Sequence, residues 1–262
     1  SVDWLVVDHY ALDERWENSM RSLAQRILVI DDLADRSHDC DVLLDQTYGR
    51  QSSSYKDLVP KSTKLIMGAA YALLRPEFSE FRTKSLTRRS RFKVKNILIS
   101  LGGVDNDNIT SNVLECIQKV HFEEHFKVIV VLGPNAPNTE KVKKQISNLP
   151  YDVELFINTS NMAKLMSNAD LAIGAAGSTS WERCALGLPT IMVVLAENQR
   201  LIANELSASG AAIIIDKDKL TKLSTQIEAL DEAELSEMSN ISRKICDGSG
   251  VRNILAILER AY

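Results

Sequence analysis

The stretch Leu171-Ala172-Ile173-Gly174-Ala175-Ala176-Gly177-Ser178-Thr179-Ser180-Trp181-Glu182 reads as a buried strand, a turn of small and hydroxylated residues, and the first turn of a helix. A short continuous apolar run suits a parallel strand covered on both faces. Two readings of the turn are open on these residues. Backbone amides at Gly177, Ser178 and Thr179, together with the hydroxyls, suit a pyrophosphate at a helix N-terminus. Glu182, one turn later, suits two ribose hydroxyls, because a carboxylate accepts several hydrogen bonds. Equally, Thr179-Ser180-Trp181-Glu182 spells a capping box, with Glu182 returning to the N-cap amide. The sequel favours the cradle. Ala185-Leu186-Gly187-Leu188-Pro189-Thr190 closes the helix at Gly and restarts a strand after Pro. That strand runs into Ala196-Glu197-Asn198-Gln199, so Asn198 and Gln199 open the next helix at the same carboxyl-end rim, where ligands of open α/β sheets bind.

Outward from this unit the same alternation continues. Strand-length apolar runs fall at residues 5–7, 27–30, 42–44, 97–100, 128–132, 153–156, 171–173, 190–194 and 211–215, with helical spacing at 110–118, 139–146, 162–166 and 199–208 between them. Repeated βαβ units predict an α/β protein of two Rossmann-like, doubly wound domains, and 262 residues suffice for both. The basic stretch Lys84-Ser85-Leu86-Thr87-Arg88-Arg89-Ser90-Arg91 follows a helix expected over 76–81 and precedes the strongest strand; it reads as a solvated linker. The expected domains are therefore residues 1–90 and 91–248. Residues 249–262 form a helix, with Val251, Ile254, Leu255 and Leu258 on one face, expected to pack back on the first domain.

Composition narrows the classes. Lys and Arg number 31 against 35 Asp and Glu, and a net charge of -4 argues against a nucleic-acid surface. No apolar run approaches the roughly 20 residues that span a bilayer, and no signal peptide opens the chain, so no membrane insertion is expected. The four cysteines form no C-x-x-C pair and read as reduced thiols of a cytoplasmic protein. His121-Phe122-Glu123-Glu124-His125 fits the H-x-x-E-H zinc pattern, but it falls in a short connection, not on a helix face. Asp105 and Asp107 lack the glycine and glutamate of a calcium loop. No metal and no cofactor are expected.

Other strand ends carry polar groups. Ile97 to Ser100 leads into Leu101-Gly102-Gly103-Val104-Asp105, where Gly102 and Gly103 let backbone amides approach an anion; a plain tight turn is the equal alternative. Val7-Asp8-His9-Tyr10 and Ile30-Asp31-Asp32 also end strands. Asp8, His9 and Tyr10 are acid/base or orienting candidates. Asp3-Trp4-Leu5-Val6-Val7-Asp8 reads as an internal strand from the outset, so the N-terminal domain is expected to be incomplete.

Leu155-Phe156-Ile157-Asn158, then Asn161-Met162-Ala163-Lys164-Leu165-Met166 and the turn at 177–182, resemble the PseG-type UDP-sugar hydrolases of pseudaminic acid biosynthesis. So do Val7-Asp8-His9-Tyr10, Cys40-Asp41-Val42-Leu43-Leu44, Leu58-Val59-Pro60, Tyr71-Ala72-Leu73-Leu74-Arg75-Pro76-Glu77-Phe78 and Leu101-Gly102-Gly103-Val104-Asp105, in order along nearly the whole chain. MurG-like glycosyltransferases share the Gly-Ser-Thr…Glu…Gly-Leu-Pro arrangement and the later Asn-Gln. The resemblance implies a glycosyltransferase-B-like fold and metal-free hydrolysis of UDP-2,4-diacetamido-2,4,6-trideoxy-β-L-altropyranose, with inverting attack of water at C1. It implies that the C-terminal domain holds UDP through Gly102, Gly103, Asp105, Ile157, Gly177, Ser178, Thr179, Glu182, Asn198 and Gln199. Tyr10 aligns with an active-site tyrosine, with Asp8 and His9 beside it. The family's G-x-G-H-x-x-R segment, which carries its principal catalytic histidine, is not found here, so the expectation for this chain alone is UDP binding, with turnover expected of the parent protein. A MurG-like transferase and a non-catalytic UDP-sugar-binding module are the alternatives; the oligomeric state is open.

Overall fold

Short runs rich in Val, Ile and Leu cannot satisfy their backbone groups alone, and here they pair as two all-parallel sheets. In the computed structural model, which describes residues 1–89, 93–122 and 124–259, the chain divides into two units: Ser1–Leu73 with Ser249–Tyr262, and Leu74–Gly248.

The first unit carries β1 (Val2–Val7), helix α1 (Glu14–Met20), β2 (Ala24–Ile30), β3 (Val42–Asp45) and β4 (Lys64–Met67), in sheet order β1-β2-β3-β4. Val7, Ile27, Val29 and Leu43 face one side with Tyr55. Leu28, Val42, Leu44 and Ile66 face the other. The stretch from Asp3 to Asp8, read as an internal strand, lies at the edge of this sheet among the described residues, with Val2 and Val6 more than half exposed.

The second unit begins with α2 (Pro76–Arg88). There follow β5 (Asn96–Ser100), α3 (Ile109–Ile117), β6 (Lys127–Leu132), α4 (Thr139–Ile146), β7 (Asp152–Ile157), α5 (Met162–Asn168) and β8 (Leu171–Ala175). The unit closes with α6 (Thr179–Ala185), β9 (Thr190–Val194), α7 (Arg200–Ala208), β10 (Ala212–Asp216), α8 (Leu223–Ala229) and α9 (Glu232–Ile245). The sheet order is β10-β9-β8-β5-β6-β7. The chain moves outward from β5 in one direction and from β8 in the other, which is the doubly wound order with its switch between those two strands. One face packs Ile97, Ile99, Val128, Val130, Ile173 and Ile191 under α3 and α8; the other packs Leu98, Ala172 and Met166 against Phe78 of α2. Finally α10 (Gly250–Glu259) returns to the first unit, where Ile254 packs with Leu28 and Ile66. No helix of the described residues is long and apolar enough to cross a membrane.

The domain boundary differs from the expected one at residue 90, and the reason is α2. The basic stretch from Lys84, read as a solvated linker, instead forms the last turns of a helix whose cations are spent on carbonyls of the second unit. Arg89 is 6% exposed and donates to Met166 O at 3.0 Å and Ala169 O at 2.8 Å, at the carboxyl end of α5. Arg88 pairs with Asp170 at 2.6 Å. Arg82 donates to Arg243 O and Cys246 O at the end of α9 and to Ala185 O at the end of α6. The last carbonyls of a helix lack intrahelical donors and carry partial negative charge, so cations placed there both satisfy and neutralise them. Ser90 and Arg91 lie outside the described residues. Replacing Arg89 with Ala leaves buried carbonyls unpaired and is expected to cost about 2–4 kcal/mol, read as a lower urea midpoint.

Candidate functional site

The switch between β5 and β8 brings two βα turns side by side, since Ser100 stands opposite Gly174 in the register. The first turn is Leu101-Gly102-Gly103. Gly102 has φ +95°, which only glycine adopts readily, and a Cβ on Gly133, just after β6, would lie 1.9 Å from Gly103 O. Gly133 therefore sets the height of this turn by letting two backbones touch.

The second turn runs from Gly177 to Thr179. Among the described residues, the amides of Gly177, Ser178 and Thr179 find no acceptor within the protein, and the N-cap residue Ser178 makes no side-chain cap bond. The capping box that the sequence allowed is not formed. The Glu182 carboxyl makes no hydrogen bond among the described residues; it is half-buried and pushed up by burial, which Arg75 and Arg183 partly oppose. A Cβ built on Gly102, Gly103 or Gly177 would meet nothing within 4 Å, so packing does not demand these glycines and open space lies over the backbone at all three. The far end of α6 is closed by Gly187 at φ +60°, with Leu188 N donating to Arg183 O and Gly187 N to Cys184 O, each at 2.9 Å. This Schellman arrangement fixes the helix that carries Glu182.

Other expected residues take different places. Asp105 sits at the N-terminus of α3, where its carboxylate accepts from Ile109 N at 2.8 Å and Thr110 N at 3.0 Å. Its side chain thus has a structural partner already, and the end of α3 is capped. Asn198 and Gln199 form a 3-10 turn beyond β9, one strand from β8; Gln199 Oε1 accepts from Leu195 N at 3.1 Å, and among the described residues its amide nitrogen and the Asn198 side chain make no hydrogen bond. Ile157 ends β7 with its side chain exposed, separated from β5 by β6. In the zinc-like stretch, Glu124 is held by Lys93 and Lys95 and lowered to about 2 by them, and His125 meets Asp152 at 3.1 Å. Glu123 lies outside the described residues.

In the first unit, Asp8, His9 and Tyr10 are exposed in the loop after β1. A network missed in the sequence lies at the same carboxyl edge. The Tyr55 hydroxyl lies 2.9 Å from Asp31 and 3.0 Å from Asp45, both buried, with Arg36 pairing Asp31 and Arg50 pairing Asp45. Asp32, beside them, is raised by burial and by Asp31 and Asp45, and Tyr10 is pushed up to about 12 by burial and the Asp32 carboxylate. Tyr10 therefore keeps its proton at neutral pH and is a donor. Only the paired strand-end aspartates signalled this network; Tyr55 ends a short 3-10 turn (Ser52–Tyr55) after β3 that carries no pattern tying it to them.

Gly133→Ala tests the geometry of the first turn. The added methyl must displace Gly103, and overpacking of this kind is expected to cost about 1–3 kcal/mol, read as a lower melting temperature.

The chain is 28% identical over 202 residues to an uncharacterised protein of Methanocaldococcus jannaschii, covering 76% of this chain and 41% of that one. It is 27% identical over 227 residues to the spore coat polysaccharide biosynthesis protein SpsG of Bacillus subtilis, covering 85% and 65%. It is 28% identical over 207 residues to the UDP-2,4-diacetamido-2,4,6-trideoxy-beta-L-altropyranose hydrolase of Campylobacter jejuni, covering 79% and 71%. The chain thus spans less than two thirds of the length of the first two relatives. Among solved structures, Acinetobacter baumannii MurG superposes with a TM-score of 0.70 at 18% identity, over 99% of this chain and 74% of that one, which supports the fold. Residues 97–255 match the glycosyltransferase family 28 C-terminal domain, and the chain belongs to that family.

Proposed function

We propose that this chain is the nucleotide-binding part of a UDP-sugar hydrolase, with the diphosphate on the turn Gly177-Ser178-Thr179 and the ribose on Glu182. The observation that carries the binding reading is the run of three acceptor-free amides beneath open space at the switch point. Such amides are preorganised donors for an anion. Gly102 and Gly103 add backbone to the same cradle, and Asn198 and Gln199 flank it; Ile157 and Asp105 are assigned peripheral parts.

The choice of hydrolysis rests on the relatives. The similarity to the Campylobacter jejuni hydrolase extends over 79% of this chain, whereas that to the Helicobacter pylori N-acetylglucosamine transferase extends over 64% at 29% identity. On this reading water attacks C1 with inversion, and UDP leaves with the free 2,4-diacetamido-2,4,6-trideoxyhexose. Tyr10 serves as a proton donor or orienting group, with Asp8 and His9 beside it. The test is UDP release from the UDP-sugar without an acceptor, with the anomer of the freed sugar read by NMR. Release of the inverted sugar supports hydrolysis; strict dependence on an added acceptor assigns a transferase; UDP binding without turnover by the parent protein that carries the G-x-G-H-x-x-R segment assigns a binding module.

Glu182→Gln separates the ribose role from a structural one. A carboxyl raised in the folded state destabilises the fold at pH values above its raised pKa, and the penalty vanishes below the unfolded value. The neutral glutamine is therefore expected to leave the melting temperature at neutral pH unchanged or higher. UDP affinity is expected to fall about tenfold or more, as for a lost charged hydrogen-bond acceptor. A lower melting temperature with unchanged affinity would overturn the assignment.

A further inference from the structure

The side chain at position 183 has an environment that the fold does not explain. Arg183 is 2% exposed, yet among the described residues no carboxylate makes an ion pair with it. Its guanidinium turns back under the turn before α6, donating to Ala175 O at 2.7 Å, to Ser180 Oγ at 3.0 Å and to Thr179 Oγ1 at 3.2 Å. Its Nε is buried without a partner, as is that of Arg89, so the difference between the two lies in which helix pole each guanidinium faces. Room for it comes from Gly174, where a Cβ would lie 2.5 Å from Nη1. Burial lowers it to about 10, so it is charged at neutral pH, and Glu182 supplies only a weaker opposing influence.

The same unit shows what a buried arginine looks like when it serves the fold. Arg82 and Arg89 sit at helix carboxyl ends, on partial negative charge. Arg183 sits at the other pole. Its guanidinium lies under the amino end of α6, beside the acceptor-free amides of Gly177, Ser178 and Thr179. A buried cation next to aligned N–H dipoles is electrostatically unfavourable until an anion arrives.

We propose that Arg183 is a built-in counter-charge for a nucleoside diphosphate, a positioning residue that acts from beneath the turn through Thr179, Ser180 and the local field. This rests on the reading of that turn as the nucleotide cradle. The anion lies above the backbone and the guanidinium below it, so the attraction operates through a thin, low-dielectric layer where screening by water is weak. Thr179 Oγ1 accepts from Arg183, so its hydroxyl proton is free to point at a phosphate oxygen. The substrate class this selects is set by charge: a diphosphate above a monophosphate, and a monophosphate above a bare nucleoside.

Calorimetry of the wild-type chain, Arg183→Met and Arg183→Lys with UDP, UMP and uridine tests it. The Met variant is expected to lose about tenfold or more of UDP affinity, less for UMP and none for uridine, while Lys retains most of the phosphate dependence. The ligand-free Met variant loses the donors to Ala175 O, Ser180 Oγ and Thr179 Oγ1 and is expected to melt below the wild type, so affinities are compared at a temperature where both are folded. Wild-type chain that binds no UDP would sink the cradle reading itself. Wild-type binding with unchanged UDP affinity in Arg183→Met, or equal losses for UDP and uridine, overturns this proposal alone. If Arg183→Met does not fold, Arg183→Gln replaces it. Failure of both uncharged variants to fold assigns the arginine to the fold and also overturns the proposal.

Discussion

The reversal of strand order between β5 and β8 is the constraint on which the second unit depends. Connections in parallel sheets are right-handed, so the helices that follow β5 and β8 lie on opposite faces of the sheet and their first turns splay apart. The gap between them cannot be filled by either helix. It is lined by whatever the two turns contain, and here they contain glycines whose Cα faces are open and amides without acceptors. The register that sets Ser100 beside Gly174 and the contact of Gly133 with Gly103 fix the two turns at one height, so the cradle is a product of backbone geometry more than of side chains.

Helix ends supply the second level of organisation. Three helices of this unit end on arginines from α2, which explains why a stretch so basic is not solvated and why the unit starts at Leu74. The arginine in α6 is the exception in position and in partner type. Cations and helix poles are matched where the structure alone is served, and mismatched at the turn proposed to receive an anion.

Much of this was legible in the sequence, and unevenly so. The strand, turn and helix at 171–182, the Gly187 stop and the alternation of elements follow from periodicity and turn chemistry, which are local. The end of α2 was not legible, because four basic residues from Lys84 to Arg91 look the same whether they meet water or the carbonyls of a helix 77 to 80 residues away. The capping box at Thr179 was a true local possibility that the structure declines: the helix starts at that residue and Ser178 is its unused N-cap. Asp105 was grouped with the binding residues on its place after Gly103, whereas its left-handed φ of 46° turns the carboxylate onto the amides of α3. Tyr55 could not be joined to Asp31 and Asp45 without tertiary contacts, and Arg183 carried no signal beyond its spacing of four from Thr179.

Electrostatics also distinguishes the two carboxyl edges. In the first unit, Asp8, Asp31, Asp32 and Asp45 gather at the strand ends, offset by Arg36 and Arg50 on the two buried members only. Burial and the neighbouring carboxylates raise both Tyr10 and Asp32 at this edge. In the second unit the corresponding edge offers bare amides over a buried guanidinium and a single half-buried carboxylate, Glu182, set one turn along the helix. The two parallel sheets therefore differ in what they carry at their carboxyl rims: gathered aspartates, two of them paired with arginine, in the first unit, and acceptor-free amides over a buried guanidinium in the second.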